Sequence, residues 1–351
     1  MYPTAVLVSG GVDSSVALMR LAADGRRPLT AFYLKIWLED ELAFLGDCPW
    51  EDDLRVVREV CAMADVPLEV VPLQREYLDL IVEPTLDALR RGLTPSPDVF
   101  CNRRVKFGAF VNAIGNRFER IATGHYARTR HEADTTRLLR AVDRVKDQTY
   151  FLSHMTQQQV ARSVFPIGHS TKNEVRAEAR RLDLPNRDRP DSQGLCFLGK
   201  IPYDRFVRFH HGDRPGDIRD RDSGRILGEH RGTWYYTVGQ RRGLGLAGGP
   251  WYVCGTDVAT ATVWVTHGDR LAEHARSEVR VAEAHWIANP PQAHRLEIRV
   301  RHGQQPVGCR TDLVGRGFVA TMDHADPGVA PGQIAVLSCG DEVLGGGVIV
   351  G

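Results

Sequence analysis

The heptapeptide Ser9-Gly10-Gly11-Val12-Asp13-Ser14-Ser15 constrains this chain more than any other feature. It follows an apolar run over 4–8 that reads as a buried strand, and it opens an amphipathic stretch over 14–23 that reads as a helix. Two adjacent glycines let the backbone turn sharply and approach a ligand with no Cβ in the way. The following helix aims its free N–H groups and its positive dipole end at the turn. Ser14 and Ser15 add hydroxyl donors. Strand, glycine turn and helix N-terminus in this order make a cradle for a pyrophosphate. No Gly-Lys-Ser/Thr follows, so this is not a Walker A loop, and the spacing is not that of the dinucleotide G-x-G-x-x-G.

Short apolar runs continue to alternate with longer amphipathic stretches up to about residue 195. Strands are expected at 30–36, 68–72 and 120–123, and helices at 51–64, 78–91 and 106–118. That alternation predicts an α/β domain with a parallel sheet covered by helices on both faces. From about residue 200 glycine and proline become frequent and β-branched and aromatic residues rise. Apolar runs at 251–253, 262–266, 296–300 and 334–337 are separated by turn residues, which reads as all-β. With a break at 269–272, the expected organisation is an α/β domain over 1–199, a small central β-rich domain over 200–269 and a C-terminal β-barrel over 270–351. A chain of 351 residues is long enough for a core in each.

Composition excludes several classes. Hydrophobic residues are 42% and charged residues 25%, ordinary for a soluble globular protein and incompatible with disorder or a collagen repeat. No apolar run reaches the ~18 residues of a membrane span, and the N-terminus lacks the basic flank of a signal peptide. A cytoplasmic location is therefore expected. The net charge of +1 hides an asymmetry: residues 1–100 hold 9 basic and 17 acidic side chains, residues 101–200 hold 19 and 10, and the remainder 17 of each. A basic block in a neutral protein is either a polyanion footprint or a set of solvated helix faces. Only Lys35, Lys106, Lys146, Lys172 and Lys200 are lysines.

Seven cysteines without a C-x-x-C pair argue against a secreted disulfide framework, a zinc ribbon and a Cys-ligated iron–sulfur cluster. Cys61, Cys254, Cys309 and Cys339 lie in helical or strand texture and read as structural, and Cys48, before Pro49, is ambiguous. Two others read as loop residues. Cys101, in Pro97-Asp98-Val99-Phe100-Cys101-Asn102-Arg103-Arg104-Val105-Lys106, is placed just before a helix among cations, an environment that favours thiolate. Asp98, three residues earlier, is a candidate base or orienting group. Cys196 lies in Asp191-Ser192-Gln193-Gly194-Leu195-Cys196-Phe197, where a loop would overlie the ligand edge of the sheet.

The motif S-G-G-V-D-S-S resembles the PP-loop of the ATP pyrophosphatases, which cleave ATP between the α and β phosphates and leave an adenylated substrate. Further stretches narrow the resemblance: P-D-V-F-C-N-R-R-V-K-F, A-T-G-H-Y-A-R, K-D-Q-T-Y-F-L, D-S-Q-G-L-C-F-L-G, G-E-H-R-G and T-V-G-Q-R-R-G-L-G-L. Over nearly its whole length the chain closely resembles the bacterial tRNA-specific 2-thiouridylase family. Ser96 stands where that family commonly has Asn, Gln193 where many members have Thr, and 228–253 resembles a subset of the family.

The resemblance implies an adenine nucleotide α-hydrolase-like first domain and an ATP- and Mg2+-dependent sulfurtransferase acting on the wobble uridine of tRNA. Leu7, Val8, Ser9, Gly10, Gly11, Val12, Asp13 and Ser14 would hold the nucleotide, with Leu34 and Gly124 at its adenine and ribose. ATP would adenylate the C2 oxygen of the base. Cys196 would carry a persulfide, Cys101 would act as the second thiol and end in a Cys101–Cys196 disulfide, and Asp98 would assist at the base. Ser96, Pro97, Asp98, His125, Lys146, Asp147, Gln148 and Gln333 match tRNA-contacting positions, with Arg299 and Arg301 as further candidates. The turn over 240–245 either grips RNA phosphates or only reverses the chain. Implied partners are tRNAs of the Lys, Glu and Gln type and a persulfide donor, either a cysteine desulfurase or a sulfur-relay protein. A monomer without membrane contact is expected. Two rivals compete: a PP-loop synthetase acting on a small molecule, which leaves both loop cysteines idle, and an ATP-gated RNA-binding protein, which leaves two activated thiols unexplained.

Overall fold

The computed structural model describes residues 2–25, 28–36, 50–191 and 202–350. The first strand, β1 (Thr4–Leu7), is wholly buried, and α1 (Val12–Ala23) follows the glycine turn. Then come β2 (Leu29–Lys35), α2 (Trp50–Met63) and β3 (Leu68–Pro72). A helical run, α3 (74–90), widens to π geometry over Leu78–Val82. A second run, α4 (97–114), does the same over Cys101–Ala109. Next are β4 (Arg120–Ala122), β5 (Ala127–Glu132), β6 (Thr135–Arg140), α5 (Gln157–Arg162), β7 (Ser163–Val164) and α6 (Lys172–Arg181). Both α5 and α6 begin with a capping box, Thr156 with Gln159 and Thr171 with Glu174.

Strands order as β3-β2-β1-β4-β7, all parallel. The order reverses between β1 and β4, so the crevice beyond their C-terminal ends is where such a sheet binds ligands. The glycine turn leaves β1 at that edge and Gly124 follows β4 there.

Helix α7 (Tyr203–His211) leads into a small sheet of β8 (Gly216–Asp220), β9 (Ile226–His230), β10 (Trp251–Asp257) and β11 (Thr262–His267), packed around Ile218, Leu244, Val253, Val263 and Val265. The last six strands are β12 (Arg276–Trp286), β13 (Arg295–Arg299), β14 (Val307–Val314), β15 (Gly317–Asp326), β16 (Ile334–Cys339) and β17 (Glu342–Val350). They close into a barrel through β12–β17 pairing. The α/β domain, the central β unit and the barrel are the fold class expected from the sequence.

One feature departs from the βα pattern expected up to residue 195. The hairpin β5–β6 does not join the parallel sheet. It extends the barrel sheet instead, with Leu138 and Leu139 of β6 opposite Val343 and Glu342 of β17. Its outer positions are Arg and Glu, so no apolar alternation marked it. A single buried cluster therefore runs from Phe32, Phe110 and Ile121 through Leu138 to Ile287, Ile334 and Val343. Arg128 and Arg144 pair with Asp341 across the same seam.

The deepest tie is Asp147. Its carboxylate accepts from Arg299 Nη1 at 2.9 Å, Arg140 Nε at 3.2 Å and Thr149 Oγ1 at 2.9 Å, with both Asp147 and Arg299 buried. Removing one member of a buried charge pair leaves the other uncompensated. Asp147→Ala is expected to cost about 3–5 kcal/mol of unfolding free energy, read by urea denaturation. A loss below ~1 kcal/mol, the level of an exposed pair, would show that the seam does not depend on it.

Candidate active site

Gly10 sits at φ +76° and Gly11 is the N-cap of α1 with no side-chain cap, unlike the capped α5 and α6. The helix thus opens toward the crevice with its N–H groups unclaimed by a side chain. The hydroxyls behave differently from expectation. Ser14 Oγ and Ser15 Oγ both donate to the Gly11 carbonyl at 3.1 Å, and Ser14 Oγ accepts from Ser9 N. They brace the turn from inside, and the main-chain N–H groups are left to meet an anion.

The turn is held from outside as well. Asn186 Nδ2 donates to Gly10 O at 2.8 Å and to Ser15 Oγ at 2.9 Å, and Arg189 donates to Gly10 O while pairing with Asp53 of α2. Gly124 presses on the same turn: a Cβ there would lie 2.6 Å from Ser14 N and 2.8 Å from Asp13 C. Gly124 is thus required by close backbone approach. Leu7 and Val8 are buried at the end of β1, whereas Leu34 is half-buried at the end of β2.

Asp13 is not free. Lys172 Nζ lies 2.7 and 2.9 Å from its two oxygens and Tyr126 OH donates to it at 2.9 Å. Burial and then Asp13 raise the Tyr126 hydroxyl, so it remains a donor. Lys172 also reaches Asp191, which Lys146 and Arg176 contact at 2.7 and 2.6 Å. Burial opposes ionisation of Asp191, and the hydrogen bonds from Lys146 and Lys172 overcome it, holding the carboxyl well below its usual range. Lys172, Asn186 and Arg189 escaped the sequence reading. The scarcity of lysine and the T-x-x-E cap beside Lys172 were the available signals.

Cys101 requires a correction. It lies within α4, not on a loop before it: Ser96-Pro97 starts the helix and Cys101 is its fifth residue. It is 2% exposed and packs in the cluster of Val99, Val105 and Phe107. Arg104 lies over the Phe100 ring at 4.6 Å and donates to Leu80 O. The wide π turn is wedged by Gln159, whose Nε2 donates to Arg103 O and Phe107 O. A Cβ on Gly108 would lie 2.9 Å from Arg103 O, five residues earlier. Such π segments concentrate at functional sites. Asn102, one turn after Asp98, donates to Asp98 O and Phe151 O.

Beyond β4, His125 shares a hydrogen bond between its Nδ1 and Thr123 Oγ1 at 2.7 Å. Burial, then the charge of Lys106 on α4, push its pKa well below the usual value. Near the start of α4, Ser96 bonds the Tyr150 hydroxyl, which donates to Ile334 O. Gln333 is adjacent, with its Oε1 buried and unpartnered, and a Cβ on Gly332 would lie 2.8 Å from Thr94 N.

Of the remaining expected contacts, Asp147, Gln148 and Arg299 are turned inward. Asp147 and Arg299 bind each other, and Gln148 bonds the Tyr126 backbone twice, through Oε1 and N. Lys146 pairs with Asp191 and is partly exposed, as is Arg301, which pairs with Asp326 at 2.6 Å. Cys196, Gln193, Cys48 and Lys200 lie outside the described residues, and with them the expected Cys101–Cys196 pair. Burial raises the thiols of Cys61 and Cys254 to about 11 and also raises Cys309, in keeping with structural roles, whereas Cys339 is exposed.

Sheet order, glycine cradle and appended barrel define a nucleotide-binding α/β enzyme with two β units. Family models agree: a tRNA methyl transferase HUP domain matches residues 3–200, a tRNA methyl transferase PRC-barrel domain 204–267, and an aminomethyltransferase beta-barrel domain 276–349. The tRNA-specific 2-thiouridylase MnmA of Parabacteroides distasonis is 39% identical over 99% of this chain and 98% of its own. That of Porphyromonas gingivalis is 39% identical over 98% of each chain, and MnmA 1 of Bacteroides thetaiotaomicron 41% over 95% of each. This chain belongs to the tRNA-specific 2-thiouridylase family. Among the described residues no helix is long and apolar enough to cross a membrane.

Two outcomes follow. Gly124→Ala forces a methyl into the Asp13–Ser14 backbone and is expected to cost about 1–3 kcal/mol and to weaken ATP binding by calorimetry; unchanged ATP affinity would mean the contact does not shape the cradle. His154, buried against His285, has its pKa lowered to about 3, by burial first and then by His285 and the Arg103 and Arg104 charges. An unfolded imidazole protonates near 6.5, so between those values only the unfolded chain takes up the proton. Stability should fall as pH drops through that window, and His154→Gln should flatten the fall in acid titrations monitored by circular dichroism.

Proposed function

We propose that this chain is an ATP-dependent tRNA uridine 2-sulfurtransferase. The carrying observation is an uncapped, glycine-built phosphate turn at the strand-order reversal of the parallel sheet, with the helix bearing Asp98 and Cys101 packed through Cys101 in the same buried cluster as Leu7 of β1. The full-length relatives, named as tRNA 2-thiouridylases, support the same reading.

In this reaction the α phosphate of ATP rests at the N-terminus of α1, within reach of a uridine base turned out of its stack. The C2 oxygen of uridine attacks the α phosphorus, and pyrophosphate leaves. The terminal sulfur of a Cys196 persulfide then attacks C2. The Cys101 thiolate attacks the inner sulfur, the persulfide S–S bond breaks and its electron pair stays on the sulfur bound to C2. AMP departs with the former C2 oxygen, leaving 2-thiouridine and a Cys101–Cys196 disulfide. A dithiol reductant resets the pair. Asp98 holds the base, and Gln333, whose Oε1 is buried and unpartnered, is a further candidate contact.

Magnesium, when bound, neutralises phosphate charge. Among the described residues no group of three His, Cys, Asp or Glu gathers to hold a metal, and Asp13 is engaged by Lys172 and Tyr126. The ion therefore fits as a companion of the nucleotide phosphates, its usual manner of binding.

Nucleoside mass spectrometry after incubation with tRNA, ATP, magnesium and a persulfide donor tests this. Wild type should form 2-thiouridine only with ATP, and Cys101→Ala and Cys196→Ala should each form none. ATP consumed with every uridine unthiolated would point to a small-molecule synthetase. tRNA bound with neither substrate altered would point to a binding protein.

A further inference from the structure

The turn Gly239-Gln240-Arg241-Arg242-Gly243 is not used by the chemistry above, and its geometry separates two jobs. Gln240 spends its whole amide on the turn itself: Oε1 accepts from Thr237 N at 3.0 Å and Nε2 donates to Arg242 O at 2.9 Å. Main-chain bonds between Gly239 N and Val253 O and between Val253 N and Gln240 O fasten the turn to β10. Gly239 and Gly243 take φ of +88° and +79°, and Leu244 anchors the segment in the central core. The turn is thus rigid. Arg241 and Arg242 take no part in bracing it: both are exposed, and among the described residues their guanidinium groups have no ion pair or side-chain hydrogen bond. Arg295 and Arg316, two exposed arginines on the adjoining barrel, are by contrast paired with Asp323 and Glu283.

Its place in the molecule gives the free pair a direction. A Cβ on Gly239 would lie 2.9 Å from Gly328 Cα, so the turn sits directly on the barrel there. A Cβ on Gly328 would in turn lie 2.7 Å from Arg301 Nη1. On the other side Thr237 Oγ1 is 3.4 Å from Thr94 Oγ1, two residues before Ser96-Pro97-Asp98. The turn bridges the start of the Asp98 helix and the barrel at Arg301.

We infer that Arg241 and Arg242 form a fixed clamp for the phosphodiester backbone of the RNA beside the nucleotide delivered to Asp98. This rests on the tRNA reading above. Guanidinium groups suit phosphate oxygens because they donate in a planar fork. Two of them on a braced turn would meet the strand with little ordering cost. Backbone contacts of this kind set register without reading sequence.

The test compares wild type, Arg241→Ala/Arg242→Ala and Arg241→Lys/Arg242→Lys in the full chain. tRNA binding is followed by fluorescence anisotropy across a salt series. The alanine pair should bind more weakly, with a log–log salt slope shallower by about one per lost contact, while ATP affinity and melting temperature hold. The lysine pair should keep most of the slope, because the charge is retained. Unchanged tRNA affinity and slope in the alanine pair would overturn the clamp. So would a loss confined to sulfur transfer from a donor protein, which would make the turn a protein-docking element. Wild type that fails to bind tRNA at all would instead remove the functional reading on which the clamp rests.

Discussion

Three consecutive side chains, Lys146, Asp147 and Gln148, hold the parts of this molecule in register. Asp147 is buried and ties the end of β6 to barrel strand β13 through Arg140 and Arg299. Gln148 bonds the backbone of Tyr126, whose hydroxyl reaches Asp13 in the phosphate turn. Lys146 reaches Asp191, which shares Lys172 with that same Asp13. One tripeptide is therefore coupled to the cradle by two routes and to the barrel by a third. A buried charge pair is poor at adding net stability and good at specifying one arrangement. Here it specifies how the barrel sits against the nucleotide domain.

That arrangement packs the barrel against the first domain in one buried cluster. A parallel sheet with a single phosphate turn binds a nucleotide and little more. The hairpin β5–β6 leaves the parallel sheet and pairs with the barrel instead, and the 331–333 turn is brought onto Thr94 ahead of α4. Near the start of α4, Ser96 bonds Tyr150, whose hydroxyl donates to Ile334 O of barrel strand β16, next to Gln333.

How much of this was legible in the sequence follows from how local each determinant is. The phosphate turn was readable because strand, glycines and helix are contiguous, and β3 (68–72) matched its expected bounds. Cys101 was misplaced because Asn, two Arg and a Lys looked like loop residues. The stronger signal lay upstream, where Ser96-Pro97 with an acidic next residue marks a helix start. The inward turn of Arg299 and Asp147 was not readable: a charged residue reads as exposed until its partner is known, and the partner is 152 positions away. The hairpin was hidden for a related reason. Its outward Arg and Glu residues bond one another and Glu342 of β17, so a strand buried by docking carried the composition of a surface loop.

Two of the glycines at the cradle, Gly10 and Gly124, show why motif and mechanism are separable here. Gly10 adopts a left-handed conformation, and a Cβ there would also press on Asp53 O at 3.0 Å, so backbone and packing both select glycine. Gly124 has no such conformation. Its requirement comes entirely from the Asp13–Ser14 backbone against it, a contact made only once β4 lies beside β1. The first glycine belongs to a local motif, and the second is the fold's own condition for letting that motif form. Gly124 leads straight into His125, whose Nδ1 lies 2.7 Å from Thr123 Oγ1, so the residue that completes the phosphate turn belongs to a short braced segment at the end of β4. A change that loosens the turn at Gly124 therefore acts on the junction between the ends of β1 and β4.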